Sequence, residues 1–363
     1  MIILGIETSC DETAVAILEE KNSRIQILSN VVASSASLQS KYGGIIPEQA
    51  AREQVKAIIP VIQESLQASG VSQQELDTIA VTYGPGLIGS LLVGVETAKV
   101  LATVWKKPLI KVNHLIGHFY ANWINQSAAN SLQLADKKTV DCRLLAVSSP
   151  KFPCLGLLVS GGHTDLVLFI SHSQYQYLGG TRDDAAGECF DKCARLLNLP
   201  YPGGPAIAQK AMEFKIKNSK FKIKLPRPLI HEKTFDFSFS GLKTATLREV
   251  EQLKKTKQFN NQTIQQLSFE IQEAITDVLV TKTIAAAQKY HIEQIIVAGG
   301  VAANLKLTTD LNLKIKNLKL KIKVAVPPPY LCTDNGAMIA AAAFFLKPAK
   351  GSLSIQADPG LSW

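Results

Sequence analysis

One arrangement constrains the fold of this chain more than any other: a strand, polar turn, strand, strand opening that occurs twice. Residues 2–8, 13–19 and 25–34 read as consecutive strands, the first nearly all apolar and the next two partly alternating. Between the first two sits Glu7-Thr8-Ser9-Cys10-Asp11-Glu12-Thr13, dense in hydroxyls and carboxylates. The scheme returns at Leu155–Val159, the tight turn Ser160-Gly161-Gly162-His163-Thr164, then Asp165–Ile170 and Tyr175–Gly179. Each opening leads into helices and buried strands. Pro47 starts a helix whose Val55, Ile58, Ile59, Ile62 and Leu66 keep the 3.6-residue period, and Gly70 ends it. A strand at Thr78–Thr82, a helix at Ile88–Trp105 and a strand at Leu109–Val112 follow. In the second half, helices are expected over 184–198, 204–213, 241–255 and 263–290, then a buried strand at Ile295–Ala298. The pattern predicts an α/β fold, a mixed sheet with helices on its faces, built twice.

A chain of 363 residues suits two domains of ordinary size, and 46% apolar with 19% charged residues excludes a disordered protein. Met1-Ile2-Ile3-Leu4 meets Gly5 and Glu7 too soon for a signal-peptide core, and the apolar run Ala337–Leu346 is short of a membrane span. Six scattered cysteines without a CxxC point to reduced thiols. A soluble, cytoplasmic protein without a membrane partner is the expectation. The net charge of +9 goes with a polyanionic partner such as nucleic acid. Two stretches concentrate lysine, Phe214–Lys224 and Lys314–Lys323. In the second, Lys319, Lys321 and Lys323 alternate with Leu320 and Ile322, the pattern of a half-exposed strand. Each stretch is a solvated face or a phosphate-backbone contact surface.

His114-Leu115-Ile116-Gly117-His118 follows a strand and opens a helical stretch. At a spacing of four, both imidazoles stand on one helix face and can reach one metal ion. A capping histidine followed by a packed one fits the same residues. Asp334, in Cys332-Thr333-Asp334-Asn335-Gly336 before a helix over Ala337–Phe345, is either an N-cap or a third ligand. Two imidazoles and one carboxylate leave coordination positions open for substrate.

The glycine turns carry the second theme. Gly84-Pro85-Gly86-Leu87-Ile88-Gly89 matches G-x-G-x-x-G, but Pro85 removes a backbone donor and no acid follows about 20 residues on, so a close-packed helix start is preferred. Ser160-Gly161-Gly162, Gly203-Gly204-Pro205 and Gly299-Gly300 in a duplicated frame suggest a nucleotide held in a cleft between domains. Capping accounts for Asp183 and Asp184, whereas Asp191 lies about two turns into its helix and could bond a ribose or an adenine edge.

Ten stretches fall in one order: GIETSCDETAVAI (5–17), GGIIPEQAAR (43–52), GPGLIGSLLVG (84–94), NHLIGH (113–118), LLVSGGHTDL (157–166), DDAAGECFDK (183–192), YPGGP (201–205), FSFSGLKT (237–244), VAGGVAAN (297–304) and CTDNGAMIA (332–340). Over roughly 1–347 the chain thus resembles the tRNA N6-adenosine threonylcarbamoyltransferase family (TsaD/Gcp-like). The resemblance implies an actin-like ATPase superfamily (ASKHA) fold, with two duplicated ribonuclease-H-like lobes and an interdomain cleft. The expected division is residues 1–125 as N-terminal lobe, completed by a C-terminal helix 334–347, a linker or insertion 126–151, a C-terminal lobe 152–330 and a tail 348–363. It further implies transfer of a threonylcarbamoyl group from threonylcarbamoyl-AMP to N6 of adenosine 37, in tRNAs reading A-starting codons (t6A formation). Family metal ligands carry over onto His114, His118 and Asp334, with Fe(2+) favoured and Zn(2+) the alternative. Family substrate contacts carry over onto Leu158, Val159, Ser160, Gly161, Gly162, Asp191, Gly204 and Asn304. Implied partners are tRNA, a catalytically silent TsaB-like paralogue and a small TsaE-like ATPase. The chain departs from most members at Ile116, where they carry an acid.

In the expected chemistry the metal is a Lewis acid on the threonylcarbamoyl carbonyl, and Asp11 or Glu12 is the base for the N6 proton. Both acids fit equally well as turn-stabilising side chains. The rival readings are weaker. A metallopeptidase of the zincin type needs H-E-x-x-H, and Leu115 holds the second position. A sugar or acetate kinase would hold magnesium at carboxylates. A non-catalytic nucleotide-binding scaffold would have no use for His114, His118 and Asp334.

Overall fold

The structure, a computed structural model, describes residues 1–35, 45–125, 149–214, 223–349 and 351–363. The expected linker 126–151, apart from its last three residues, lies outside the described residues, as do residues 215–222 of the first lysine-rich stretch and Cys142. The five described cysteines are free thiols. The chain forms two compact units, Met1–Pro150 with Tyr330–Trp363, and Lys151–Pro329.

The first unit is built on a sheet of order β3-β2-β1-β4-β5. Its strands are β1 (Ile2–Glu7), β2 (Glu12–Lys21), β3 (Arg24–Ser34), β4 (Thr78–Gly84) and β5 (Leu109–Asn113). β1 runs antiparallel to β2 but parallel to β4, and helices cover both its faces, so its sequence is apolar except for Glu7. Leu4 and Ile6 point with Val15 and Ile17 into a core closed by Ile58, Val61 and Ile62 of the helix Pro47–Ser69 and by Val95 and Ala98 of the helix Ile88–Val104. Gly5, on the other face, meets the helix Gly336–Ala343. That helix, all glycine, alanine, isoleucine and methionine, is buried along its whole length. It returns from the far end of the chain to complete this unit. The final residues also belong here: the Asp358 amide donates to the Tyr83 carbonyl (2.7 Å), and the Trp363 ring lies 6.0 Å from that of Phe119.

In the helix Pro47–Ser69 the apolar period misassigns two positions. Val55 and Ile59 are exposed, while Ala50, Gln54, Ile58, Val61 and Ser65 face inward. The polar members of that face have partners that the sequence pattern could not display. Gln54 donates its amide to the carbonyls of Cys10 (3.1 Å) and Glu12 (2.8 Å), and the Ser65 hydroxyl meets that of Ser29 (2.7 Å).

The second unit repeats the scheme in the order β10-β9-β6-β7-β8. β6 (Cys154–Val159), β7 (Thr164–Ser171) and β8 (Gln174–Gly180) form an antiparallel meander, and β9 (Gln294–Ala298) and β10 (Lys323–Ala325) add to β6 in parallel. Read from the meander outward, the two sheets have one topology, the duplicated frame of the actin-like fold. Helices Ala186–Leu196, Gly203–Glu213, Ser240–Lys255, Asn261–Lys289 and Leu305–Asn317 complete it. Residues 319–322 are not the strand that their alternation predicts. The helix ends at Asn317, Lys319 takes a left-handed conformation (φ 54°), and the Leu320 amide donates to the Ile315 carbonyl (3.0 Å), so the alternating exposure belongs to a helix terminus and its exit.

A methyl group at Gly5 would meet the Gly336 carbonyl oxygen at 2.5 Å and the Ala340 nitrogen at 2.6 Å. Both are backbone atoms with no room to yield. Gly5→Ala is therefore expected to destabilise the protein by about 2–3 kcal/mol. Thermal unfolding checks it, with a Tm lowered by roughly 5 °C or more.

Candidate metal centre

β5 ends at Asn113, whose side chain accepts the Leu115 amide (2.8 Å) and caps the short helix His114–Tyr120. The capping role that His114 could have filled is therefore taken. At the other end of the chain Asn335, not Asp334, caps the helix Gly336–Ala343 by accepting the Met338 amide (2.9 Å). Both ordinary uses of the candidate ligands fall away, and their side chains are available to one another.

They meet. Asp334 Oδ1 lies 3.3 Å from His118 Nε2 and 3.7 Å from His114 Nε2, and one ligand atom from each of the three lies within 4.8 Å of the others. The imidazoles stand edge to face with centroids 4.6 Å apart. His118 is buried, and among the described residues neither ring nitrogen has a hydrogen bond of good geometry, the Asp334 carboxylate being only a close neighbour of Nε2. An unpartnered buried polar atom costs about 1–3 kcal/mol, and a cation on Nε2 would remove one such deficit. Two imidazole nitrogens and one carboxylate oxygen fit a divalent transition metal with open positions.

A residue that the sequence reading overlooked orients the set. Glu7, at the end of β1 and fully buried, places Oε2 3.2 Å from His114 Nδ1. The same carboxylate accepts the Thr82 hydroxyl and, through Oε1, the Ser9 amide (2.5 Å). With Nδ1 engaged, Nε2 is the nitrogen presented toward Asp334. The signal was a carboxylate inside an otherwise apolar strand. Burial acts to lower the His114 pKa, but the Glu7 and Asp334 carboxylates outweigh it and raise the value to about 9.

Glu12, which opens β2, and Cys10, on the turn before it, lie within electrostatic reach of Asp334, with Asp11 between them in sequence. Burial, then the charges of Asp334 and Asp11, push the Glu12 carboxyl far above the usual carboxylate range, and the Cys10 thiol is pushed up by the same causes. Glu12 therefore holds its proton at neutral pH and is hydrogen-bonded to Asp11. Crowded carboxylates beside two imidazoles form a field that favours a divalent cation.

The remaining candidates all belong to the second unit. Leu158 and Val159 are buried side chains at the end of β6, so only their backbone can meet a ligand. The turn that follows is closed by Ser160 N–H to the His163 carbonyl (2.8 Å) and by the His163 amide to Ser160 Oγ (3.1 Å), and Gly161 and Gly162 are exposed beyond it. Gly187, at the start of the helix Ala186–Leu196, donates to the Ser160 carbonyl (3.1 Å), and Gly299 packs on Val159. Asp191 Oδ1 accepts the Gly203 amide (2.6 Å), tying that helix to the Gly203-Gly204 turn. Burial raises the Asp191 pKa against the lowering effect of the Gly203 and Gly204 amides. Asn304 caps the helix Leu305–Asn317 through the Lys306 amide (3.0 Å) and donates to Gln272 (3.3 Å). The structure corrects two assignments: the helix Ala186–Leu196 starts from Ala185 with no side-chain cap, and Asp184 pairs instead with Lys192 (2.7 Å). Asp183 does not cap its own helix but accepts the amides of Phe239 (2.8 Å) and Ser240 (3.2 Å) at the start of the helix Ser240–Lys255.

The family description "TsaD: tRNA N6-adenosine threonylcarbamoyltransferase" matches residues 26–135 and 139–341. A protein of that name from Dehalococcoides mccartyi (strain CBDB1) is 45% identical over 364 residues, covering 100% of this chain and 99% of its own length. Its namesake from Geobacillus thermodenitrificans is 45% identical over 361 residues, covering 99% of this chain and 96% of that protein. Among solved structures, HypF of T. kodakarensis superposes with a TM-score of 0.54 at 13% identity, covering 95% of this chain and 47% of that one, a likeness of fold alone.

Glu7→Gln is expected to weaken metal binding about 10–100-fold while leaving the stoichiometry of the site unchanged, measured by competition with a chelator. With His114 raised to about 9, protons compete with the metal at neutral pH. Apparent affinity should therefore climb as pH rises from 7 to 9 and level off above, with proton release on binding below that point.

Proposed function

The chain belongs to the tRNA N6-adenosine threonylcarbamoyltransferase family, and from that membership we propose how its residues carry out the transfer. Its activity is t6A formation, an acyl transfer with tRNA as the acceptor. The donor is threonylcarbamoyl-AMP and the acceptor atom is N6 of adenosine 37, in tRNAs reading A-starting codons. The observation that carries the reading is the convergence of His114, His118 and Asp334 while Asn113 and Asn335 take the capping roles.

Those three side chains would hold the metal, Fe(2+) by preference and Zn(2+) as the alternative. Two imidazoles and a carboxylate suit either ion. When bound, the ion supplies Lewis acidity toward the threonylcarbamoyl carbonyl. Glu7 keeps His114 turned so that Nε2 serves the site. Asp11 takes the proton from N6, since Glu12 already holds one and keeps Asp11 oriented by hydrogen bonding to it. In the second unit the backbone from Leu158 to Gly162, together with Gly204 and Asn304, binds the adenylate. Asp191 holds the Gly203-Gly204 turn through its amides and is the carboxylate offered to a ribose hydroxyl. The reaction runs in the cytoplasm with a TsaB-like paralogue and a TsaE-like ATPase as partners, a reading supported by the family resemblance.

The test is transfer to unmodified tRNA by the purified chain, supplied with its partners and threonylcarbamoyl-AMP. Wild type should form t6A. Asp334→Asn and His118→Ala should each lose about 10²–10³-fold in rate. Asp11→Asn should lower kcat by about 10²–10⁴-fold, whereas Glu12→Gln, which can still donate to Asp11, should keep most of it. Full activity in Asp334→Asn would refute the metal assignment, and full activity in Asp11→Asn would refute the base.

A further inference from the structure

Between Asp310 and Asp334 the chain has no acidic residue and five lysines: Lys314, Lys316, Lys319, Lys321 and Lys323. All five are exposed. They run from the last turn of the helix Leu305–Asn317, through its left-handed exit at Lys319, to β10 at the edge of the second unit's sheet. Lys306, one residue into the same helix, is paired with Glu273 (2.8 Å) and Asp310 (2.7 Å). None of the five has an ion-pair partner among the described residues. Glu293, whose carbonyl accepts the Lys323 amide, brings one carboxylate to the margin of the strip. Elsewhere charge is interleaved: Glu48 pairs with Arg52, Glu53 with Lys56 and Glu96 with Lys99. Lys254 and Lys255 follow Glu249 and Glu251 on one helix.

We propose that the strip Lys314, Lys316, Lys319, Lys321 and Lys323 is a contact surface for the phosphate backbone of tRNA. The proposal rests on the transferase reading, which makes tRNA the polyanion that this chain must hold. Lysines guard edge strands against pairing with other chains, and β10 is such an edge. That role would explain Lys323 alone and leaves Lys314 and Lys316, on the helix, and Lys319 and Lys321, on its exit, unaccounted for. A row of unneutralised ammonium groups attracts a phosphate backbone without reading its sequence, which suits an enzyme acting on several tRNAs.

The test is binding of unmodified tRNA to the full chain as a function of salt, comparing wild type with K314Q/K316Q/K319Q/K321Q/K323Q and with K254Q/K255Q/K257Q. Loss of the strip should raise the tRNA Kd roughly tenfold or more and flatten the log Kd against log salt slope by about 3 to 5, with five Lys→Arg changes restoring both. In the transfer assay the tRNA KM should rise in step and kcat at saturating tRNA should hold. An unchanged slope in a variant with wild-type thermal unfolding would overturn the proposal. So would an equal loss in the K254Q/K255Q/K257Q control. Failure of the transferase reading looks different: wild type would form no t6A, and the binding slope would still decide the strip.

Discussion

The candidate metal centre depends on how closely the helix Gly336–Ala343 lies on β1, on β2 and on the helix His114–Tyr120. At Gly5 and Gly336 backbone meets backbone, and at Gly117 the Ile339 side chain fills the space where a Cβ would stand. That approach seats the start of the returning helix beside the turn after β1. Asp334, two residues before Gly336, then falls within reach of both imidazoles. A larger residue at any of these contacts would lift the helix away, and a shift of about 1 Å is enough to spoil a ligand set. Small residues are thus the structural precondition for chemistry that none of them performs.

Electrostatics completes what packing begins. Glu7 and Asp334 flank His114, Asp334 also lies beside His118, and the charges of Asp334 and Asp11 bear on Glu12, so both Glu12 and His114 are raised. The two shifts have opposite origins. Glu12 is raised by burial and by like charges, so it becomes neutral, whereas His114 is raised by opposite charges against its burial, so it becomes cationic. Each is the response of a site with excess negative charge, the condition that a divalent cation would relieve.

The second unit uses its acids to join elements rather than to cap their own helices. Asp183 closes the start of the helix Ser240–Lys255, and Asp191 closes the Gly203-Gly204 turn. Both link stretches that the sequence motifs keep apart, DDAAGECFDK to FSFSGLKT in the first case and to YPGGP in the second. The Gly203-Gly204 turn and the start of the helix Ser240–Lys255 are thereby held by charge-assisted hydrogen bonds, which are stronger than neutral ones.

The duplicated frame, every strand but β10, most helix boundaries and the His114–His118 pair were legible from the sequence, because period and spacing are local properties of the chain. The ordered motifs made the family legible too. Tertiary structure alone decided the rest. Val55 and Ile59 keep the helical period yet face out, because the buried face is set by what Gln54 and Ser65 must reach. Lys319 to Ile322 alternate like a strand but leave a helix, because the left-handed residue ends it before β10 can begin. Whether Asp334 caps or ligates turned on its neighbour Asn335 taking the cap, and Glu7 gained its role only when β1 met His114. Sequence determines what each segment prefers. Which partners those preferences serve is settled by contacts between segments hundreds of residues apart, and no local pattern carries that information.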